Sequence, residues 1–177
     1  KENLLELVDG ALFLQRSAAP EIHFESDYPE APVFQSCDSR QIGRAITNLL
    51  LNATEAIQRR QAQEADAGQE GVPGKITVAV QDGANGVIVE VRDNGCGLPV
   101  TEMHRLTEPY VTTRERGTGL GLAIVKKIME EHGGDLLLRQ LPEGGASVAL
   151  HFAKRNQGQR RSDGGSQVNS QEEAFER

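Results

Sequence analysis

Apolar residues at Leu4, Leu5, Leu7, Val8, Ala11, Leu12 and Leu14 recur at the spacing of one helix face. Small residues at 17–19 and then Pro20 break the pattern, which predicts an amphipathic first helix. Ile22 and Phe24 alternate with polar neighbours as a short strand does. The Pro-rich stretch from Pro29 to Pro32 leads to a second strand around Val33 and Phe34, and both strands are expected to pair. Asp38 followed by Gln41 has the form of a capping box and predicts a helix start. That helix carries Ile42, Ala45, Ile46, Leu49, Leu50, Ala53, Ala56 and Ile57 on one stripe and is expected to fade near Arg60. Residues 61–74, polar and small with four Gly or Pro positions, then read as a flexible loop.

Ile76, Val78 and Val80 alternate, Asn85-Gly86 marks a turn, and Val87, Val89 and Val91 alternate again, which predicts a hairpin that delivers Asp93 to its end. From Gly95 to about Gly117 the periodicity is weak, with Pro99, Pro109 and a polar run at 112–116. A long mobile loop is expected there, with one short helix near Thr101 to Leu106. Leu120, Leu122, Ala123, Val125, Ile128 and Met129 form a last helical stripe that stops at His132-Gly133-Gly134. Two closing strands, Leu136 to Arg139 and Ala146 to Phe152, flank the turn at 142–145. From Lys154 onward the composition predicts a disordered tail.

The 177 residues are 37% hydrophobic, enough for one domain with a core plus some unstructured remainder. The 19 basic and 26 acidic residues give a net charge of -7, which disfavours nonspecific binding to nucleic acid or anionic membranes. Any bound polyanion then needs local compensation, which a divalent metal provides. Cys37 and Cys96 form no CxxC pair, so neither a disulfide framework nor a zinc site is indicated, and a reducing cytosolic setting fits. Cys96 reads as a small filler between two glycines rather than a redox centre. There is no apolar run of membrane-spanning length and no signal-peptide pattern. The chain opens inside a helical pattern without an initiator Met and is expected to be an excised piece of something longer.

Three separated segments carry candidate chemistry. Asn48 and Asn52 stand four apart on a predicted helix, so their side chains leave one face a turn apart, and their carbonyl oxygens suit magnesium where waters and phosphates complete the octahedron. Two such Asn also occur on ordinary helices as exposed or capping residues. Asp93 follows a strand and precedes Gly95 and Gly97, so a buried carboxylate there can accept a hydrogen bond from an exocyclic amine such as that of adenine; the same residues also serve as plain turn chemistry. Gly117, Gly119 and Gly121 open a helix whose free amides favour phosphate, although a Gly-rich hinge has the same composition. Neither the dinucleotide fingerprint nor the Lys-containing P-loop is present.

With the three segments in this order, the chain resembles the catalytic and ATP-binding domain of bacterial sensor histidine kinases, within the wider gyrase, heat-shock-ninety and MutL-type ATPase superfamily. The likeness spans about residues 1–153. Its N box is matched by Asp38 through Ile57, its G1 box by Asp93 to Gly97, its G2 box by Gly117 to Gly121, and its G3 turn by Gly144-Gly145. In the F box Leu106 and Tyr110 replace the family's two Phe. The wording from Leu106 to Arg114 and the segment ending at Ala56 look most like the nitrogen-regulation, NtrY-type sensor kinases.

The resemblance implies an α+β fold, a two-layer sandwich of the GHKL (Bergerat) type with a mixed sheet packed against helices. Residues 1–19 would form its first helix, 20–153 the ATP-binding body with a lid at about 95–117, and 154–177 the tail. It implies ATP and Mg2+ as cofactors, Asn52 as the metal ligand assisted by Asn48, and Asp93 on the adenine amine with Gly97 beside the base. Gly119, Leu120 and Gly121 would contact phosphates by backbone, and Thr112, Thr113 and Arg114 would belong to the lid, Arg114 standing where many relatives have Lys. Glu55, Ala56, Gly95, Leu98, Tyr110, Gly117, Thr118 and Leu122 complete the implied nucleotide site.

Family enzymes transfer the γ-phosphoryl group to a histidine on a separate dimerising helical domain and then to an Asp of a response regulator. His23, His104, His132 and His151 lack the acceptor context, and each reads as structural or surface. The resemblance thus implies a cytoplasmic kinase domain, monomeric when isolated, from a homodimeric inner-membrane protein. Two alternatives belong to related classes. An ATP-hydrolysing member would need a general base, and the position that carries Glu in such enzymes is Asn48 here, with Glu55 the nearest substitute. An anti-sigma-type Ser/Thr kinase would lack the first helix. A non-enzymatic nucleotide sensor is a third class, which the intact boxes oppose.

Overall fold

The computed structural model of the protein describes residues 1–99, 103, 105–108 and 120–154. A short strand β1 (Glu2–Asn3) leads into α1 (Leu4–Ala18), where the Asn3 side-chain oxygen accepts the Leu5 amide at 3.3 Å and fixes the helix start. Leu4, Val8, Ala11 and Leu12 form the buried face of α1 that the periodicity predicts. Strand β2 (His23–Asp27) and strand β3 (Phe34–Gln35) are both paired, but not to each other. β3 runs antiparallel to β1, and β2 lies parallel to β4 (Lys75–Gly83). The two prolines between them lack amide donors and carry the chain away from a hairpin return.

Helix α2 (Ser39–Asp66) begins as predicted, with an Asp38 carboxylate oxygen accepting the Gln41 amide at 3.0 Å. The reciprocal half of the box is replaced by a tertiary contact, because the Asp38 amide donates to His132 Nε2 at 3.0 Å. The far end of α2 departs from expectation. It continues six residues past Arg60, since Gln, Ala and Glu favour helix even where no apolar stripe needs burial. The segment that follows is tied down rather than flexible. Arg60 donates to the Val72 carbonyl at 2.7 Å, Glu64 accepts the Val72 amide at 3.2 Å, and the two side chains pair at 3.3 Å.

The main sheet has the order β2-β4-β5-β7-β6, with β5 (Gly86–Asp93), β6 (Asp135–Gln140) and β7 (Ala146–Ala153). The β2 pairing is parallel and the other three are antiparallel, so the sheet is mixed as implied. Alternation decides its faces. Ile76, Val78, Val80, Val87, Val89, Val91, Val148, Leu150 and Phe152 point into the core with α2 and α3 (Gly121–Glu131), while Thr77, Glu90 and Arg92 take the opposite face. Helix α1 packs on α2, α2 crosses β4 and β5, and α3 covers β6 and β7, which makes the two-layer α+β sandwich.

Helix α3 ends in a Schellman arrangement. The Gly133 amide donates to the Glu130 carbonyl at 3.0 Å and the Gly134 amide to the Met129 carbonyl at 2.9 Å. His132, at the cap, holds the Ile128 carbonyl through Nδ1 at 2.7 Å, which leaves Nε2 as the acceptor for Asp38. The short helix expected near Thr101 to Leu106 falls partly outside the described residues. In its described part Leu106 is buried and its amide donates to the Met103 carbonyl. Residues 100–102, 104 and 109–117 of the expected lid, and 155–177 of the expected tail, lie outside the described residues.

Candidate functional site

Two clusters form along α2, and the helix sets their separation. Asn48 and Asn52 project toward the start of α3. A Cβ added to Gly121 would stand 3.6 Å from Asn48 Oδ1 and 3.7 Å from Asn52 Oδ1. The Asn48 amide nitrogen donates back to the Arg44 carbonyl at 2.9 Å, which turns its oxygen outward. Leu120, at the N-cap position of α3, has no side-chain acceptor for the first-turn amides. Two hard carbonyl oxygens and a helix N-terminus therefore meet at one point, a suitable environment for an anion with a divalent cation. Among the described residues no group of His, Cys, Asp or Glu has metal-holding geometry.

The second cluster is centred on Ala56, one turn beyond Asn52 and two beyond Asn48 along α2, roughly 6 and 12 Å at 1.5 Å per residue. Here the loop after β5 folds onto the helix. The Cys96 amide donates to the Ala56 carbonyl at 3.1 Å, and a Cβ on Gly95 would sit 2.6 Å from the Ala56 carbonyl carbon, so only glycine permits this approach. Asn94 links the same loop to the segment before β4, accepting the Lys75 amide at 2.8 Å and donating to the Pro73 carbonyl at 2.9 Å.

Asp93 is the buried carboxylate of this cluster, 7% exposed. Burial pushes its pKa up to about 6, against the opposing pull of amide hydrogen bonds from Gly95 and Ala146 and of the nearby Arg59 and Arg60 guanidinium groups. The Gly95 amide reaches its Oδ1 at 2.8 Å. Gly145 makes the strand-end geometry possible. Its φ is +84°, and a Cβ there would lie 1.9 Å from the Asp93 carbonyl oxygen.

The structure thus gathers Asn48, Asn52 and Gly121 at one end, and Ala56, Asp93, Gly95, Gly97 and Leu98 at the other. Glu55 is half-buried on the same helix, and Leu122 packs against the core. Tyr110, Thr112, Thr113, Arg114, Gly117, Thr118 and Gly119 lie outside the described residues. Gln140 was not anticipated, yet its Oε1 accepts the Leu98 amide at 2.7 Å. The signal for it is the strand register, which sets Gln140 opposite Ala146 and Ala146 opposite Asp93.

Comparisons with known proteins point to one family. The family model for the histidine kinase-, DNA gyrase B-, and HSP90-like ATPase matches residues 37–156. Nitrogen regulation protein NtrY of Azorhizobium caulinodans is 44% identical over 150 residues, covering 84% of this chain and 18% of that protein. A putative NtrY-like sensor histidine kinase of Rickettsia felis is 40% identical over 116 residues, 66% of this chain and 18% of its own length. The chain therefore spans about a fifth of the length of these curated relatives. Among solved structures, the catalytic domain of histidine kinase ThkA superposes with a TM-score of 0.72 at 28% identity, covering 86% of this chain and 95% of that one. The mycobacterial sensor histidine kinase MprB gives 0.69 at 26% identity with the same coverage.

Proposed function

The chain belongs to the histidine kinase-, DNA gyrase B- and HSP90-like ATPase family, and from that premise we propose that it is the Mg-ATP-binding catalytic domain of a sensor histidine kinase. The γ-phosphoryl group of ATP goes to a histidine on a separate dimerisation domain, leaving ADP, and then to a response-regulator Asp. The observation that carries this reading is the pairing of two sites along α2: the Asn48 and Asn52 oxygens against Gly121, and, at Ala56, the loop that follows the buried Asp93.

In this reading Asp93 accepts the adenine amine, next to the loop that Gly95 seats directly on Ala56. The first-turn amides of α3 face the phosphates. Asn52, assisted by Asn48, is the ligand for magnesium, which supplies neutralisation of charge on the transferring phosphoryl group. Asn48 is an amide and a poor base, which favours transfer to a protein nucleophile over activation of water. The protein supplies positioning and charge, and the nucleophile comes from the dimerisation domain. The domain works on the cytoplasmic side of a membrane-anchored homodimer.

The test combines binding and transfer. Titration calorimetry with a non-hydrolysable ATP analogue and magnesium should show binding that Asp93→Asn and Asn52→Ala each weaken at least tenfold. With γ-labelled ATP and the histidine-bearing helical domain of an NtrY-like kinase, acid-labile phosphate should appear on that domain. Absence of analogue binding by the unaltered chain would refute the reading.

A further inference from the structure

Gln140 closes β6 and reaches back to the loop that follows Asp93. Its Oε1 accepts the Leu98 amide at 2.7 Å. Its carboxamide fills the space a side chain at Gly97 would need, since a Cβ there would lie 2.4 Å from Nε2 and 2.6 Å from Oε1. The φ of Gly97 is +77°, so glycine serves both the turn and the approach of Gln140. The loop is thereby held from two sides, by the Ala56 carbonyl of α2 at Cys96 and by Gln140 of β6 at Leu98. Register adds a third element, because Asp93, Ala146 and Gln140 face one another across three adjacent strands.

We propose that Gln140 is a positioning residue for nucleotide binding, holding the Gly97–Leu98 peptide of the loop that follows Asp93. The proposal rests on the Mg-ATP reading of the site. The physical basis is preorganisation. A loop with two glycines in three residues has many conformations to lose, and fixing it before the base arrives removes that ordering from the binding step. An acceptor side chain on a strand is a rigid support for this purpose.

The experiment compares Gln140→Met, which keeps length but loses the acceptor, with Gln140→Glu, which keeps an acceptor oxygen. Three measurements are made at pH 8: affinity for a non-hydrolysable ATP analogue with magnesium by calorimetry, exchange of the Leu98 amide by NMR, and thermal unfolding. Gln140→Met should bind about tenfold more weakly, a ratio typical of one lost hydrogen bond, and its Leu98 amide should exchange faster. Gln140→Glu should restore both. If the Met variant does not fold, Gln140→Ala, which vacates the space beside Gly97, carries the same expectation. Tight analogue binding by the acceptor-free variant, or equal losses in the Met and Glu variants, would overturn the positioning role while leaving the nucleotide site standing. Failure of the unaltered chain to bind the analogue would overturn both.

Discussion

Burial of Asp93 costs folding free energy once its carboxyl ionises, and in the proposed function the same carboxylate receives the adenine amine. Its pKa is raised from 3.8 to about 6 by burial, so the folded state holds the proton more tightly than the unfolded chain. The resulting stability is fully present below pH 3.8 and lost as pH rises through about 6, roughly 2–3 kcal/mol in all. Urea titrations should show the unaltered chain losing stability relative to Asp93→Asn across this interval and levelling off above it. Affinity for an adenine nucleotide should move oppositely, because the ionised carboxylate is the better acceptor for the amine. A difference between the two proteins that stays flat from pH 4 to 7 would contradict the assignment. Adjacent glycines provide a second contrast. Gly144 has φ +95° and open space around it, whereas Gly145 has φ +84° and the Asp93 carbonyl in the way. Gly144→Ala should therefore cost about 1 kcal/mol, and Gly145→Ala clearly more, measured by the same titrations. At this scale the structure brings together residues that the sequence marks by their type. Asn48, Asn52, Asp93 and the glycines stand out by identity, while Gln140 is an ordinary residue whose role exists only once strand register places it.

Helix α2 shows where element-level reading succeeds and where it stops. Its start was legible because the Asp38 cap is a local event. Its end was not, because apolar periodicity reports burial and the last turns of α2 have little to bury. They persist through helix propensity and through Arg60 and Glu64, which fasten the chain returning toward β4. Removing one anchor should act locally. Glu64→Ala is expected to speed amide exchange in residues 69–74 while shifting global stability by less than about 1 kcal/mol. A cooperative loss of stability would show instead that the segment is integral to the core. The pairing of β2 and β3 was likewise illegible, since strand partners are long-range choices that alternation alone does not encode.

Across the whole molecule, the hairpin of β4 and β5 followed from pattern and the mixed α+β sandwich from the family resemblance, whereas the strand order came only with the structure. That order has a consequence for how the protein acquires its structure. Two junctions are local, the hairpins β4–β5 and β6–β7. The edge strand β2 is different, since His23 opposite Lys75 joins positions about fifty residues apart with all of α2 between them. Closing so long a loop costs entropy before any contact repays it. β2 is therefore expected to dock after the rate-limiting barrier, and the hairpin of β4 and β5 to form before it. In stopped-flow kinetics Val89→Ala should slow folding, and Phe24→Ala should mainly accelerate unfolding. Equal slowing of folding by both would exclude this order. The parallel edge strand would then be the last part of the sheet to arrive and the first to leave.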